Sequence, residues 1–387
     1  MRITALAGTV PAALAQALAD RGVDRDRAEA AAAGGETLRL LLEGLAEEDA
    51  FALFRAGRAT GVDCQTGDGW AVLDGTLARL AGLARPDEAG PLPRRLSEPL
   101  GRFLAVRQET PAGWRTARRT ILLERPCVLG ILNVTPDSFS DGGRLATVDD
   151  AVRAAAGLRE AGADVLDVGG ESTRPGAATP DEATELERVV PVVARLAAEV
   201  GLPVSVDTRR SRVAAAALDA GAEIVNDISA LAHDPAMAGL VAARSAGVVL
   251  MHMRGTPQTM DAEARYADVA LDVAAELAAR RDAACAAGIA REAIVLDPGL
   301  GFAKTVEQNY ALMNRLETLT ALGQPVLVGP SRKRFLGAAT GRPVHERDAA
   351  TAAACVAARL RGARLFRVHD VRAVREALAV ADAVLAG

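Results

Sequence analysis

The sequence has few aromatic residues, no long apolar run and no excess of positive charge. Aromatic residues make up 3% of its 387 residues, and the formal net charge is −5. A chain without a basic field is poorly suited to hold nucleic acid or an anionic membrane. No apolar run reaches the roughly 18 residues of a membrane span, and the N-terminus lacks the basic-then-apolar pattern of an export signal. We therefore expect a cytoplasmic protein with no nucleic-acid or membrane partner.

Cysteine is also scarce, and its spacing excludes two common uses. The four cysteines are Cys64, Cys127, Cys285 and Cys355, and no two of them form a C-x-x-C pair. Neither a disulfide framework nor a zinc knuckle is predicted from such spacing. We expect four buried, reduced thiols.

Lysine is the rarest charged residue in the chain. Of 45 basic residues only Lys304 and Lys333 are lysines. A compact ammonium on a flexible stem fits sites in which the broad guanidinium of arginine would clash. The scarcity therefore predicts that both lysines touch a ligand, the alternative being two chance survivors on solvated surfaces.

The first part of the chain predicts a small α/β module of unassigned role. Helices are predicted near Ala12–Asp20, Glu47–Arg58, Thr76–Leu83 and Leu96–Leu104, and strands near Leu38–Leu42 and Trp70–Leu73. The Pro- and Gly-rich stretch from Arg85 to Pro93 predicts a linker. We assign residues 1–108 to this module and its linker, and residues 109–387 to a second domain. The module has no His cluster, phosphate loop or paired acids, which favours a structural or partner-binding role over catalysis.

After a short strand or hairpin predicted at Thr116–Leu123, the chain repeats one unit from Cys127 onward: a short β-rich run, a polar strand end and an Ala/Leu/Arg-rich helix. The predicted strands are Val128–Leu132, Val165–Val168, Val204–Val206, Glu223–Val225, Val248–Met251, Ile294–Leu296, Val326–Val328 and Leu365–Val368. The predicted helices are Asp150–Ala161, Pro180–Val200, Arg209–Ala220, Pro235–Ala246, Ala262–Ala287, Val306–Leu319, Glu346–Arg361 and Val371–Leu385. Eight alternating units in roughly 260 residues predict a closed (β/α)8 TIM barrel, whereas a doubly wound sheet usually has five to seven strands.

Every predicted barrel strand is followed by polar residues. In order these are Asn133; Glu171, Thr173 and Arg174; Asp207; Asn226 and Asp227; His252; Asp297; Ser331 and Lys333; Arg367 and His369. Active sites of such barrels lie at the carboxyl ends of the strands. Any single aspartate here could instead cap the following helix. Eight polar strand ends in succession favour a polar ligand.

The polar residues fall into two chemical groups. Asp207, Asn226 and Asp297 offer acceptors to a heterocycle that is rich in N–H donors. Asn133, Arg174, Arg367 and His369 form a donor-rich group that suits a phosphate or diphosphate. The sequence therefore predicts a substrate with a heterocyclic head and a phosphorylated tail. It contains no metalloprotease H-E-x-x-H motif and no dinucleotide G-x-G-x-x-G motif.

Several motifs resemble those of the dihydropteroate synthase family. Two long stretches, Gly130–Gly143 and Gly162–Gly176, resemble the signature stretches of that family. Six shorter motifs follow in the family's order: Ser205–Thr208, Asn226–Ile228, Leu250–Met253, Leu296–Phe302, Gly329–Lys333 and Arg367–His369. The resemblance covers about residue 115 to the C-terminus.

The resemblance implies an enzyme of folate synthesis, a transferase that condenses a hydroxymethyl-dihydropterin diphosphate with 4-aminobenzoate and releases pyrophosphate. It implies a cytoplasmic homodimer, a target of sulfonamides, that uses Mg²⁺. The implied pterin ligands are Asp207, Asn226, Asp297 and Lys333, with Met251 packing nearby. The implied diphosphate ligands are Asn133, which also holds the Mg²⁺, Arg174, Arg367 and His369. The implied catalytic residues are Asn133, Asp207, Lys333 and Arg367.

Two loops are expected to move and to complete the site. The first is Thr135–Gly143, which contains Asp137, Ser138, Phe139, Ser140 and Asp141, and the second is Ser172–Ala178, which contains Arg174. Their closure would exclude water and build the aminobenzoate pocket from Thr173, Pro175, Phe302 and Ser331. Ser331 is expected to begin a helix, whose N–H groups suit a carboxylate.

Three other readings remain open at this level. The corrinoid methyltransferases that use methyltetrahydrofolate share the acidic pterin contacts, but they have no diphosphate to bind. A non-catalytic pterin-binding paralogue would not need the complete loop Asn133–Asp141 or Lys333. The N-terminal module could be a second folate-pathway enzyme, although it lacks the acid and lysine patterns that an aldolase or a pyrophosphokinase needs.

Overall fold

The computed structural model describes residues 2–6, 37–85, 90–108, 111–134, 147–171 and 180–386. The chain divides into two compact units. The first is Met1–Thr110 with Ala321–Gly323, and the second is Pro111–Thr320 with Gln324–Gly387. The predicted helix near Ala12–Asp20 and both predicted mobile loops lie outside the described residues.

The N-terminal unit is a small α/β domain, as predicted. Its described elements are β1 (Arg2–Leu6), β2 (Thr37–Glu43), α1 (Glu47–Thr60), β3 (Asp63–Gly67), β4 (Trp70–Thr76), α2 (Leu77–Leu83) and α3 (Arg94–Gln108). The four strands form an antiparallel sheet in the order β1-β2-β4-β3. Strands β1 and β3 were not predicted. Strand β3 escaped prediction because Asp63–Gly67 is mostly exposed and has no alternation of apolar and polar residues.

The core of this unit follows from the two periodicities of its sequence. Along β4 the residues alternate between exposed or half-buried and buried, so that Ala71 and Leu73 lie on one face of the sheet. Helix α1 contributes Leu53 to the same apolar cluster, and α3 contributes Leu96 and Leu100. Apolar residues recur at every second position in the strand and at every third or fourth position in the helices. Both elements therefore place their apolar side chains in one core.

The second unit begins with a hairpin, β5 (Gly113–Arg115) and β6 (Thr120–Leu122), and continues as alternating strands and helices. The described elements are β7 (Cys127–Asn133), α4 (Val148–Glu160), β8 (Val165–Gly169), α5 (Glu182–Glu199), β9 (Val204–Asp207), α6 (Ser211–Ala220), β10 (Ile224–Asp227), α7 (Met237–Arg244), β11 (Gly247–Met251), α8 (Val269–Ala286), β12 (Ile294–Asp297), α9 (Val306–Asn314), α10 (Glu317–Thr320), β13 (Leu327–Val328), α11 (Arg334–Thr340), α12 (Asp348–Arg359), β14 (Leu365–Val368) and α13 (Val371–Ala386).

Strands β7 to β14 form a parallel (β/α)8 barrel. Their order is β12-β11-β10-β9-β8-β7-β14-β13, and a parallel bridge between Leu296 and Val326 joins the two ends of this sheet. All eight predicted barrel strands are confirmed. The predicted helix Val306–Leu319 is in fact two helices, α9 and α10, and the helix predicted to begin at Ser331 is α11, which begins at Arg334.

The hairpin closes the amino-terminal end of the barrel. The indole of Trp114 is fully buried, and its Nε1 donates a hydrogen bond of 2.9 Å to the carbonyl oxygen of Ala293. Trp114 packs in one cluster with residues near the amino ends of the strands, including Cys127, Val165 and Leu365. The opposite, carboxyl end carries the polar residues.

Two properties predicted from what the sequence lacks can be compared with the structure. All four cysteines are free thiols, but only Cys127 and Cys355 are buried, because Cys64 is half-buried and Cys285 is exposed on α8. The prediction of four buried thiols was therefore wrong for two of them. Among the described residues, no helix is long and apolar enough to cross a membrane.

Candidate active site

Four strand ends, three of them polar, lie in one row across adjacent barrel strands. Asn133 is paired in register with Gly169, Gly169 with Asp207, and Asp207 with Asn226. A Cβ placed on Gly169 would lie 3.7 Å from Asn133 Oδ1 and 3.5 Å from Asp207 Oδ2. The register therefore brings the predicted diphosphate ligand Asn133 close to the predicted pterin ligands Asp207 and Asn226.

Arg367, from the last barrel strand, lies against this row. Its Nε donates to Asp167 Oδ2 at 2.5 Å, and its Nη2 donates to Asp207 Oδ2 at 2.7 Å. Asp167 Oδ2 also accepts a hydrogen bond of 3.2 Å from Asn226 Nδ2. Arg367, Asp207, Asn226 and Asp167 are thus a single hydrogen-bonded group.

Burial and neighbouring charges set the protonation of this group. Burial raises the pKa of Asp207 to about 7, and the charge of Asp167 adds to the rise while Arg367 opposes it. Burial lowers the pKa of Arg367, but the attraction of Asp167 and Asp207 outweighs it and holds that pKa above its ordinary value. The guanidinium is therefore charged, and the pKa of Asp207 lies above its ordinary value.

Asp297 and Lys333 form the other side of the site. Asp297 is 6% exposed, and its Oδ1 accepts a hydrogen bond of 2.7 Å from the backbone N–H of Gly299. Burial raises the pKa of Asp297, and Lys333 opposes the rise. Burial lowers the pKa of Lys333 to about 7, and Asp297 opposes that change. A buried carboxylate and a nearby ammonium are arranged here without a direct hydrogen bond between them in the described structure.

The stem of Lys333 is held tightly. Its ammonium donates to the carbonyl oxygen of Leu300 and lies 3.9 Å from the centre of the Phe302 ring. A Cβ placed on Gly301 would lie 2.5 Å from Lys333 Cδ, and Gly301 has a φ of +80°. Only glycine leaves room for the stem in that backbone conformation.

The remaining predicted residues that the structure describes also lie at this end of the barrel. Met251 and Phe302 are buried in one apolar cluster with Ile228, Met260 and Ala303. Ser331 Oγ and His369 Nδ1 are 2.8 Å apart, and the backbone N–H of His369 donates to Ser331 Oγ at 3.1 Å. The predicted residues Thr173, Arg174, Pro175, Asp137, Ser138, Phe139, Ser140 and Asp141 lie outside the described residues.

One prediction about Ser331 was wrong. The helix after β13 begins at Arg334, with Lys333 at its N-cap position, so Ser331 does not begin a helix. Arg332 between them has a φ of +57°, which interrupts helical geometry. Ser331 instead uses its hydroxyl to contact His369.

Lys304 does not face the same space as Lys333. It is 3% exposed, and its ammonium lies 3.1 Å from His252 Nδ1, 3.2 Å from the carbonyl oxygen of Gly299 and 3.0 Å from that of Phe302. Three acceptors satisfy the three N–H groups of an ammonium. The structure therefore gives Lys304 a role in shaping the loop after β12, in place of the predicted ligand contact.

The sequence analysis missed Asp167. This residue lies inside β8 and is fully buried, so it was taken as part of an apolar strand. The available signal was a carboxylate flanked by Val165, Leu166 and Val168, because an ionised group is rarely buried without a partner.

Comparisons with known proteins identify the family. Residues 129–369 match the family described as pterin binding enzyme. The dihydropteroate synthase of Mycobacterium leprae is 52% identical over 265 residues, which are 67% of this chain and 93% of that protein. The Xanthomonas albilineans dihydropteroate synthase, solved with 4-aminobenzoic acid, is 47% identical with a TM-score of 0.67, and covers 72% of this chain and 100% of that one.

Two further solved structures agree. The Xanthomonas albilineans enzyme in complex with 7,8-dihydropteroate is 44% identical with a TM-score of 0.65, covering 71% of this chain and 99% of that one. The Yersinia pestis dihydropteroate synthase in a sulfonamide drug complex is 41% identical with a TM-score of 0.68, covering 71% and 100%. With this identity and coverage, and with the predicted polar ring at the carboxyl end of the barrel, the chain belongs to the dihydropteroate synthase family of pterin-binding enzymes.

Proposed function

We propose that the barrel catalyses the condensation of (7,8-dihydropterin-6-yl)methyl diphosphate with 4-aminobenzoate to give 7,8-dihydropteroate and diphosphate, a step of tetrahydrofolate biosynthesis. The observation that carries this proposal is the juxtaposition of Asp207, Asn226 and Arg367 at one end of the barrel. This arrangement joins acceptors for a nitrogen-rich ring to a guanidinium suited to a diphosphate. The related proteins solved with 4-aminobenzoic acid and with 7,8-dihydropteroate support the same substrates.

The pterin would be held by Asp207, Asn226, Asp297 and Lys333, with Met251 against the ring. Asp297 is suited to this because one of its oxygens is fixed by Gly299 and a carboxylate can accept two parallel N–H bonds. Lys333 is suited to a ring carbonyl because its stem is pinned beside Gly301 and Phe302. The site is buried, and a polar ring that failed to match these groups would leave them unpaired at a large cost.

The diphosphate would be held by Asn133, Arg174, Arg367 and His369. Arg367 uses Nε and one Nη2 proton for the two aspartates. Its Nη1 group and the second Nη2 proton remain to donate to phosphate oxygens. His369 directly follows the last residue of β14, and its ring is positioned by the hydroxyl of Ser331.

The residues present fit a Mg²⁺ ion that is shared with the substrate. Among the described residues no cluster of three His, Cys, Asp or Glu side chains could hold a metal by itself. Mg²⁺ is commonly bound through one or two protein oxygens together with substrate phosphates. The amide oxygen of Asn133, at the strand end beside Asp207, could supply such a ligand. Bound there, the ion would neutralise charge on the leaving diphosphate.

The 4-aminobenzoate would enter a pocket built from Thr173, Pro175, Phe302 and Ser331 once the loops Thr135–Gly143 and Ser172–Ala178 close. Phe302 supports this, because its ring lies beside the Lys333 ammonium and belongs to the same apolar cluster as Met251. Loop closure would exclude water from a reactive intermediate.

Electrostatic stabilisation would be the main contribution to catalysis. The C–O bond between the pterin methylene and the diphosphate breaks, the ring delocalises the resulting positive charge, and the amine of 4-aminobenzoate forms the C–N bond and loses its proton. Arg367 would stabilise the departing anion, and the carboxylates Asp207 and Asp297 would stabilise the cation. Preorganised charges in a buried site act without the reorganisation that water requires.

The cellular compartment and the assembly state complete the proposal. The four free thiols suit the reducing cytoplasm. Exposed apolar side chains on α13, Val380 at 66% and Val384 at 69%, suit the surface of a homodimer. The N-terminal unit, for which residues 1–108 were predicted, would have a structural or partner-binding role.

The test is a turnover assay with the pterin diphosphate, 4-aminobenzoate and Mg²⁺, following pyrophosphate release and dihydropteroate formation together. We expect equal amounts of both products. A folded protein that binds the pterin but releases no pyrophosphate would support the non-catalytic alternative. Pyrophosphate release that does not depend on 4-aminobenzoate would indicate hydrolysis in place of condensation.

A further inference from the structure

Asp167 contacts residues from both predicted halves of the substrate site. Its Oδ2 accepts from Arg367 Nε at 2.5 Å and from Asn226 Nδ2 at 3.2 Å. Arg367 is a predicted diphosphate ligand, and Asn226 is a predicted pterin ligand. Along β8, Asp167 lies two residues before Gly169, and Gly169 is in register with Asp207, which pairs with Asn226.

The carboxylate decides which way the Asn226 amide points. An ionised carboxylate only accepts hydrogen bonds, so the amide must turn its NH₂ group toward Asp167. Asn226 Oδ1 is thereby directed away from Asp167 as an acceptor. An acceptor is what a ring N–H requires, whereas the reversed amide would present a second donor to it.

The same oxygen fixes the guanidinium. Two of the five N–H groups of Arg367 are taken by Asp167 and Asp207, both on the Nε–Nη2 edge. The Nη1 edge is left to bind an anion. A guanidinium held in one plane loses little further freedom on binding, which favours bidentate contact with phosphate oxygens.

Asp167 is buried at a cost that packing does not explain. It is fully buried among apolar residues of β8, and among the described residues its Oδ1 has no hydrogen-bond partner. Buried carboxylates with an unpaired oxygen are uncommon, and each one calls for an explanation. An apolar residue of similar volume would fill the space without that cost, so the contacts of Oδ2 are the reason that we find for its presence.

We propose that Asp167 is a positioning residue for the condensation: through one carboxylate oxygen it orients Asn226 as an acceptor for the pterin and Arg367 as a donor for the diphosphate. Asp167 does not touch substrate. This inference rests on the proposed function, because it assigns Asp167 to the same site.

The first test is Asp167→Asn, which keeps the shape and removes the charge. Binding of 6-hydroxymethylpterin and of inorganic pyrophosphate with Mg²⁺ is measured separately by calorimetry. We expect both ligands to bind at least about 10-fold more weakly, because each loses a charge-assisted positioning contact. The single-site control Asn226→Ala should weaken 6-hydroxymethylpterin and leave pyrophosphate within about 2-fold of wild type.

We assign the acid limb of the kcat/KM profile to protonation of Asp207. Its position is a readout that a purely structural role of Asp167 would not move. The charge of Asp167 raises the pKa of Asp207. Its removal should shift the acid limb toward lower pH. Asp167→Asn protein that melts like wild type, binds both ligands within about 2-fold of wild type and keeps the acid limb in place would overturn the inference. Wild-type protein that binds neither ligand would instead contradict the proposed function itself.

A second variant covers the case in which Asp167→Asn does not fold. The exchanged pair Asp167→Asn/Asn226→Asp restores one donor and one acceptor between the two positions. It should bind 6-hydroxymethylpterin at least about 5-fold more tightly than Asn226→Asp alone, while pyrophosphate binding stays weak because Arg367 has lost its carboxylate partner. Equal pterin affinities for the pair and for Asn226→Asp would rule out orientation of residue 226 by residue 167.

Discussion

Arg367 Nη2 donates a hydrogen bond to Asp207 Oδ2 over 2.7 Å, so the residue predicted to bind the diphosphate is paired with a residue predicted to bind the pterin. The ion pair connects the two halves of the substrate site. Arg367 is 21% exposed and Asp207 is 16% exposed, so the pair is largely screened from water. The guanidinium can contact a phosphate without releasing either aspartate, because it has five N–H groups.

Replacing Arg367 by Lys tests whether the fork geometry matters beyond the charge. An ammonium cannot reach Asp167, Asp207 and a phosphate in one plane. We expect kcat/KM for the pterin diphosphate to fall roughly 100-fold, or about 2.7 kcal/mol, the magnitude of one or two charge-assisted hydrogen bonds. Steady-state kinetics at saturating 4-aminobenzoate measure this. A variant with nearly normal kcat/KM would show that positive charge alone is sufficient.

Asp297→Asn should greatly weaken pterin binding. The amide offers one acceptor and one donor where the ring presents N–H groups, so a buried polar pair remains unmade at a cost of about 3 kcal/mol. Calorimetry with 6-hydroxymethylpterin should show a loss of at least about 100-fold. Asp227→Asn is the matched control. Asp227 is also a buried strand-end aspartate, but its oxygens accept from Ser229 and Leu231 of its own loop, so its replacement should lower Tm and spare pterin affinity.

Lys333→Arg should abolish most activity although the charge is kept. The lysine stem already fills the space above Gly301, and its ammonium lies 3.9 Å from the centre of the Phe302 ring. A larger planar head would collide there or displace the pterin. Arg212→Lys is the control, because the Arg212 side chain is 77% exposed and makes a surface ion pair. If Lys333→Arg retained normal kcat/KM, the argument from lysine scarcity would fail for this residue.

Acid should destabilise the barrel through His252. Burial lowers the pKa of His252 to about 4 from its ordinary 6.5, and the neighbouring Lys304 donates to Nδ1, so that the neutral ring donates from Nε2 to Glu276. Between pH 6.5 and 4, His252 is protonated in the unfolded chain and neutral in the folded chain. The free energy of unfolding therefore falls as the pH decreases through this window, by on the order of 3 kcal/mol from this residue.

Denaturant unfolding at several pH values measures that slope. His252→Gln can still accept from Lys304 and donate to Glu276, but it does not titrate, so its stability should decrease less between pH 6.5 and 4 than that of wild type. His345→Gln is the control, since the side chain of His345 is 74% exposed. Parallel curves for His252→Gln and wild type would remove His252 as the source of the slope.

Removing residues 1–108 should leave a folded, active barrel. Every described residue assigned to the site lies beyond Cys127, and the hairpin that closes the amino-terminal end of the barrel begins at Gly113. The truncated chain should melt cooperatively and form dihydropteroate. Trp114→Ala in the same truncated chain should cost about 3 to 5 kcal/mol, because it empties a fully buried site and removes the bond to Ala293. A soluble, folded but inactive truncation would show that the N-terminal unit contributes to the site.

Much of the fold could be predicted because local patterns encode it. Short β-rich runs such as Val204–Val206 alternate with helices such as Val371–Leu385, and eight repeats of that unit suit a closed barrel better than an open sheet. The position of the site followed from the same pattern, because parallel strands place Asn133, Asp207, Asn226 and Asp297 at one end. A short, polar element such as β3 escaped prediction because its sequence carries no periodic apolar signal.

Tertiary structure decided which polar groups face each other. The sequence by itself determined that Lys304 and Lys333 are unusual, but the backbone of the loop after β12 turns one ammonium into the protein and leaves the other against Phe302. It likewise determined that Asp167 lies in a buried strand. Arg367 on β14 and Asn226 on β10 lie 200 and 59 positions after Asp167 in the sequence. Only the barrel register brings both side chains to the same carboxylate. Side-chain partners across a barrel depend on strand order and register, and those are properties of the whole folded chain.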